Sequence, residues 1–421
     1  MYSIGKNLFS IEKIALFLMF LASMNLLGKY FYFLYIVFLL LAVVFRKIKV
    51  DWMTLLLIGF SGFYIMSAWY TGNSAIVIIK QLAFPISYLI GLNLFSFQKY
   101  DEINKEKICH KQIFSSVTCI AMGSFIHYIL NMVTNNESIN RNTVDYWSGE
   151  RMAATGQAAL AILALCLFIT ILFIDIRLKW KIFSTIGILL ICIYNFVLSG
   201  RMLILIAFII FIEVLLFSSK SNSYKVIIRR LLILLATVIL IILAFVNNWF
   251  GLADLLNESN LFRRFEDMDF FADSRFYFKT QYVSLMLKYP FGGGKIHHIV
   301  GNYAHDIILD AYNDLGIVGA ALLCIFLVVS AIQIYRFVRN KSFSLESRML
   351  ILSVSTALFI IFFSATPVVL AAITCCFFFD SATLSINFNI PTVVFPAAVV
   401  PSRNSTGALC FKKFIYLFDN L

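Results

Sequence analysis

Stretches of about 20 consecutive, mostly apolar residues, the length that carries a helix across the hydrocarbon core of a bilayer, recur along this chain. Soluble domains run roughly 45–50% apolar and 25% charged. Here 61% of 421 residues are hydrophobic and 13% charged. The apolar runs are continuous rather than alternating, so they read as helices that satisfy their own backbone groups and not as the strands of a barrel. The sequence predicts an all-α integral membrane protein. Spans are expected near 9–27, 30–46, 51–70, 75–97, 112–133, 153–174, 182–199, 202–218, 231–247, 311–334 and 349–371, with a twelfth at 386–402, so about 11–12 transmembrane helices.

These spans divide the chain. Residues 1–247 carry the first nine, 248–310 form one long loop, and 311–371 carry the tenth and eleventh. Residues 372–421 are a C-terminal segment broken by Pro391, Pro396 and Pro401, read either as a degenerate twelfth helix or as a peripheral cap or tail. Leu8–Leu27 has Lys6 and Lys13 near its start and no A-x-A-like cleavage site after it, so it reads as a first span acting as an uncleaved signal anchor.

The formal net charge of +12 does not point to nucleic acid, because Lys and Arg in membrane proteins gather in cytoplasmic loops and set orientation. Basic clusters occur at Arg46–Lys49, Lys99–Lys111, Arg177–Lys181, Lys220–Arg230 and Arg336–Arg348. All fall on one side of the membrane if the N-terminus is cytoplasmic. The eight cysteines show no CxxC or Cys/His spacing, and most sit in apolar runs as small buried hydrophobes.

This topology leaves two long loops outside, Thr134–Met152 and Asn248 to Asp310. Within the second, Ser274–Tyr289 has helical spacing, with Phe276, Thr280, Val283 and Leu287 on one face and Arg275 and Lys279 a turn apart on another. It reads as an amphipathic helix lying at the membrane surface. Pro290 ends it, and Gly292–Gly294 supply a flexible turn.

Polar residues beside or within membrane spans cost free energy, which makes them functional candidates. Arg151, Arg201 and Arg275 lie on the outer side, against the orientation rule, and Lys279 follows Arg275 by one turn. A guanidinium matches the oxygens of a diphosphate and keeps its charge; outer arginines also snorkel to headgroups or pair with nearby acids. His305 stands at the mouth of a helix, placed to exchange a proton. Asp306 is placed to act beside it or to cap the helix, and Asp310 and Asp314 follow on the same face. Lys80, His127 and Glu213 are ionisable positions within spans. The spacing of His297, His298 and Asp306 is not that of a metal site, so neither a metal nor a cofactor is expected.

Three segments together resemble the superfamily of O-antigen polymerases (Wzy) and O-antigen ligases. They are LSGR ending at Arg201, a long outer loop with an arginine-led helix, and PFGGG followed by NYAHDIILDAYNDLGIVGA. The matching positions are Ser199, Gly200 and Arg201; Pro290, Gly292 and Gly294; His305; and Asp314, Gly316 and Gly319. Arg151 with Gly156 is similar to the family's R-x-x-G helix opening. The chain departs from the pattern at Asp306, where an asparagine is usual, and in lacking the second serine of the first motif. The likeness covers residues 150–330.

The resemblance implies a GT-C-like glycosyltransferase with one long periplasmic loop, multi-pass in the bacterial inner membrane. It would join undecaprenyl-diphosphate-linked oligosaccharide repeat units at the periplasmic face. Arg151, Arg201, Arg275 and Lys279 would hold the diphosphate, and His305 or Asp306 would act as base; Lys80, Asp310 and Asp314 are secondary candidates for the site. The implied partners are the lipid-linked glycan, membrane lipid, a chain-length regulator and a flippase. The alternatives are an O-antigen ligase acting on lipid A-core and a flippase for the same lipid-linked glycan.

Overall fold

The architecture follows from the apolar runs. A computed structural model describes residues 11–26, 50–70, 85–86, 88–89, 102–135, 142–198, 200–218, 228, 232, 243, 247–248, 274–341 and 343–364. The described residues are mostly helical (81%). The helices are α1 (Ile11–Ser23), α2 (Trp52–Tyr70), α3 (Glu102–Thr134), α4 (Ala154–Phe173), α5 (Leu178–Val197), α6 (Arg201–Phe217), α7 (Ser274–Met286), α8 (Lys295–Val300), α9 (Ile307–Arg339) and α10 (Leu345–Ser364). Among the described residues four helical stretches are long and apolar enough to cross a membrane: His110–Thr134, Ala154–Phe173, Leu178–Phe196 and Ile307–Arg339. The protein is an all-α membrane protein. Spans expected near 30–46, 75–97, 231–247 and 386–402 fall outside the described residues, apart from isolated positions.

Helix α4 is the centre of the bundle. Every residue from Leu160 through Ile171 is buried, and the helix packs against α3, α5, α6 and α10. A helix apolar all round is compatible with such a central position. Phe168 anchors it, meeting Phe125 of α3 and Phe183 of α5 edge to face at 5.1 and 5.6 Å. The surrounding helices bury one stripe and expose another. On α5 the exposed stripe is Ile182, Phe183, Ile186, Leu189 and Ile193, and on α2 it includes Leu55, Ile58 and Met66. Apolar stripes of that size are costly in water and suit contact with lipid tails.

Four expectations are adjusted. Helix α3 starts at Glu102, so the basic stretch before the fifth span is helical rather than a loop. The outer loop 134–152 contains a two-stranded antiparallel hairpin, β1 (Asn142–Val144) with β2 (Arg151–Ala153), in which Val144 pairs with Arg151. Glu213, expected only as an ionisable position within a span, is engaged by a neighbouring helix: its Oε1 accepts a hydrogen bond of 2.7 Å from the Thr356 hydroxyl on α10. Of the cysteines, Cys119 and Cys166 are buried, whereas Cys192 and Cys324 are half-buried.

Chain direction sorts the ends of the bundle. Helix α4 starts at the hairpin, α5 returns, and α6 begins beside the hairpin end again. Serines at the start of α10, Ser344 and Ser347, both contact His110 Nδ1 near the start of α3 at 2.8 Å. The N-terminal half of α9 therefore lies at the same end as the hairpin. The opposite end collects Lys111, Arg177, Lys179, Lys181, Arg336, Arg339, Lys341 and Arg348.

Close packing of α1 on α3 depends on Gly123, where an added Cβ would overlap the Phe20 carbonyl and come within 2.9 Å of Ser23 Cβ. Overpacking of this kind costs about 1–3 kcal/mol. Gly123→Val should lower the thermal unfolding midpoint in detergent, measured by light scattering or fluorescence. A midpoint equal to wild type would show that the two helices do not pack this closely.

Candidate functional site

The polar end of the bundle is built from a broken helix. Helix α9 is interrupted at Gly316, whose φ of 70° and ψ of −165° are non-helical. A break frees backbone groups that a membrane environment cannot satisfy, and the chain supplies partners from the turn after α7. Gly293 N donates to the Asp314 carbonyl at 3.1 Å, Gly294 N to the Asn313 carbonyl at 2.9 Å, and Ile317 N to the Pro290 carbonyl at 2.9 Å. Gly292, Gly293 and Gly294 all have left-handed φ, at 73°, 76° and 74°. Gly292 and Gly316 face each other so closely that a Cβ on Gly292 would overlap Gly316 N, and one on Gly316 would overlap the Pro290 carbonyl. The glycine turn expected to be flexible is instead hydrogen-bonded to the break.

Around this clamp the polar side chains of the loop and of α9 converge with α2. The Tyr64 hydroxyl donates to Asp314 Oδ2 at 2.8 Å, and Ser67 Oγ donates to the Asp314 carbonyl at 2.8 Å. Asn313 Nδ2 donates to Asp314 Oδ1 at 2.8 Å, while Asn313 Oδ1 accepts from His297 N at 2.8 Å. Asp310 is buried; its Oδ1 accepts from Ala304 N at 3.0 Å, and its Oδ2 has no hydrogen-bond partner. The His297 ring stacks on Tyr303 with centroids 4.1 Å apart, and His297 Nδ1 is also buried without a partner. Tyr282 is fully buried and donates to the Asn302 carbonyl at 2.9 Å. Burial, then the nearby Asp310 and Asp314, push the Tyr282 phenol well above the usual range, and burial with the same carboxylates raises Tyr303. Both stay protonated and able to donate.

The expected site residues take distinct places. His305 precedes α9 in a left-handed conformation, φ 56°, and is half-buried. Asp306 caps α9, its Oδ1 accepting from Ile308 N and Leu309 N at 3.1 and 3.4 Å. Its Oδ2 pairs with Lys279 Nζ at 3.2 Å. Lys279 and Asp306 thus neutralise each other in part, and Asp306 is engaged as a cap. Asp310 and Asp314 line the clamp. Arg151 opens β2, exposed, with no acid among the described residues within ion-pair distance. Arg201 and Arg275 stand at the first position of α6 and the second of α7, with side chains outside the described residues. Lys80 lies wholly outside them. By backbone position, Arg151, Arg201, Arg275, Lys279 and His305 share one end of the bundle.

Arg201 owes its place to a tight connection. Asn195 Nδ2 donates to the Gly200 carbonyl, and Gly200 N donates to the Asn195 carbonyl at 3.0 Å. A Cβ on Gly200 would overlap the Asn195 amide.

A second polar centre, under the hairpin, carries Arg151. His127 of α3 and Asp145 are only 1% and 2% exposed and lie 2.6 Å apart between Nε2 and Oδ2. Asp145 Oδ1 accepts from Trp147 N, Ser148 N and Ser148 Oγ at 3.1, 2.8 and 3.0 Å. Asn131 Oδ1 accepts from Tyr146 N at 2.8 Å, and Asn131 Nδ2 donates to Gln157 Oε1 at 3.2 Å. Gln157 Nε2 donates to Thr143 Oγ1 at 2.8 Å. The spacing of His127 and Asp145 gave no sign of this contact; the only signal was the presence of a histidine, an asparagine and a glutamine in helices otherwise apolar.

No family model matches the chain, and no curated protein matches it.

Two outcomes follow from this geometry. Gly316→Ala places a side chain at a left-handed φ against the Pro290 carbonyl, and strain of this kind costs of order 1–3 kcal/mol. The variant should lose yield of monodisperse protein on size-exclusion chromatography, whereas Gly293→Ala, with open space around it, should lose less. At Asp145, burial works to raise the carboxyl, but hydrogen bonds from His127 and from the Ser148 backbone, the His127 charge and the Ser148 hydroxyl outweigh it and hold the group well below the usual carboxylate range. Its stabilisation is therefore complete above an unfolded value of about 3.9 and is lost as pH falls through the folded value. Asp145→Asn should be less stable than wild type at pH 7, and the gap in thermal midpoint should narrow as pH is taken below about 4.

Proposed function

We propose that this protein is a membrane glycosyltransferase of the O-antigen polymerase type. It joins undecaprenyl-diphosphate-linked oligosaccharide repeat units at the periplasmic face of the bacterial inner membrane. The reading is carried by one observation: a polar site formed by a broken helix, a left-handed glycine turn and α2 stands at the end of the bundle where Arg151, Arg201, Arg275, Lys279 and His305 also gather. The motif resemblance of residues 150–330 falls on the same elements. The basic residues at the opposite end support an orientation with that end cytoplasmic and the site outside. The N-terminus is then cytoplasmic, the count reaches about 11–12 spans with the segments outside the described residues, and the fold is GT-C-like.

The transfer needs no nucleotide sugar, because the donor glycan already carries a diphosphate leaving group. A hydroxyl oxygen of the acceptor repeat unit attacks the anomeric carbon of the donor. The carbon–oxygen bond to the diphosphate breaks, and the lipid diphosphate departs with the electron pair. The acceptor proton passes to a base, for which His305 at the mouth of α9 is placed. Asp306, held as a cap and paired with Lys279, orients the entrance beside it. The guanidinium groups of Arg151, Arg201 and Arg275 hold the diphosphate and stabilise the charge it gains. Holding both lipids at one site supplies proximity. A chain-length regulator and the flippase that delivers the repeat unit are the partners this role requires.

A lipopolysaccharide gel of a deletion strain, complemented with wild type, Arg201→Ala or Arg275→Ala, tests the reading. Wild type should restore the ladder, and each variant should leave core with a single repeat unit while the protein remains inserted. A full ladder from both variants overturns the diphosphate clamp. Lipid-linked polymer accumulating in the deletion strain indicates a ligase, and loss even of the single capped repeat indicates a flippase.

A further inference from the structure

The loop between α8 and α9 joins an aromatic plate to hydrogen-bonding groups that nothing among the described residues satisfies. Tyr303 is 46% exposed. His297 stacks on one face of its ring, which fixes the plane. Beside it stand two carboxylates: Asp310, whose Oδ2 is buried without a partner, and Asp314, held by Tyr64 and Asn313. His297 Nδ1 is buried without a partner as well. The loop itself is fixed, since Tyr282 holds the Asn302 carbonyl, Asp310 holds Ala304 N and Asp306 caps the helix that follows.

Buried polar atoms left unpaired are costly and call for a partner. A carboxyl group accepts when ionised and also donates when protonated, and a ring nitrogen takes or gives one proton. A partner with several hydroxyl groups, each both donor and acceptor, matches all of these. It must also bring a face of polarised C–H bonds for the negative face of the tyrosine ring. Carbohydrate pyranose rings have both. A phosphate fits poorly, because it would meet two carboxylates and no unpaired cation among the described residues of this cluster. A metal fits no better, for no group of three or more His, Cys, Asp or Glu placed to hold one occurs among the described residues.

We propose that Tyr303, His297, Asp310 and Asp314 form a sugar-binding subsite. A pyranose ring lies on the face of Tyr303 opposite His297, and its hydroxyls bond to Asp310 Oδ2 and Asp314. The subsite rests on the glycan-transfer reading, in which it receives the acceptor repeat unit. It is separate from the arginine-borne diphosphate clamp, so the two divide the substrate between its charged and its neutral parts.

The test is saturation-transfer difference NMR on the full-length protein in nanodiscs, prepared without sugar-based detergent. The probes are free hexoses, N-acetylhexosamines and deoxyhexoses at millimolar concentration, with glycerol as an acyclic control. Wild type should transfer saturation to the ring C–H protons of at least one sugar and not to glycerol. Tyr303→Ala should lose that transfer, and Tyr303→Phe, which keeps the plate, should retain it. Asp310→Asn should weaken binding while leaving the ring contact pattern in place. Absence of transfer to every sugar, or equal transfer with Tyr303→Ala, overturns the subsite. The gel distinguishes this failure from that of the transferase reading. A ladder that depends on Arg275 with no sugar bound at Tyr303 removes only the subsite. Sugar bound at Tyr303 with a ladder indifferent to Arg201 and Arg275 removes only the diphosphate clamp.

Discussion

Three backbone hydrogen bonds between the glycine turn and the break in α9 hold the polar end of this protein together. Breaking a helix at the edge of an apolar bundle leaves amides and carbonyls that lipid cannot satisfy. Here Gly293, Gly294 and Ile317 donate across the gap to Asp314, Asn313 and Pro290. Only glycine allows the approach at positions 292 and 316, because a Cβ on Gly292 would overlap Gly316 N and one on Gly316 would overlap the Pro290 carbonyl and the Phe291 backbone. Asp314 lies two residues before the break, and Tyr64 meets it from α2. The residues that line the site are thus consequences of one backbone arrangement.

The hairpin end solves the same problem with side chains. Asp145 serves as the hub of a turn, and His127 meets it from inside a helix. Asn131, Asn135, Gln157 and Thr143 complete the network, each buried and each hydrogen-bonded. Removing either member of such a buried pair leaves an uncompensated group, which is far costlier than never having built the pair. Arg151 gains a defined position because the strand that bears it is pinned from below.

Hydropathy made the helices legible, because the length and continuity of an apolar run are local properties. The glycines were legible as turns and as part of a motif, since positive φ at Gly292–Gly294 follows from the residue type. What those glycines touch was not legible. Tyr64 and Asp314 are 250 positions apart, and nothing in either neighbourhood signals the other. The engagement of Lys279 with Asp306 was hidden for the same reason: 27 residues separate them, and two turns and a short helix bring them together. The hairpin leaves no periodic signal, because its strands are only three residues long. Helix α3 begins before its apolar run, because Lys and Glu are good helix formers and carry it through the charged stretch.

The enclosure of α4 bears on how the protein is made. It is more apolar than α5, yet far less of it faces outward. A helix that ends among protein neighbours does not need such apolarity in the finished bundle, where smaller or more polar residues would pack as well. It needs it earlier. During synthesis α4 leaves the ribosome before α5, α6, α9 and α10 exist, and it must rest among lipid tails until they arrive. Its composition records that interval of waiting, while the lipid-facing stripe of α5 records its permanent address.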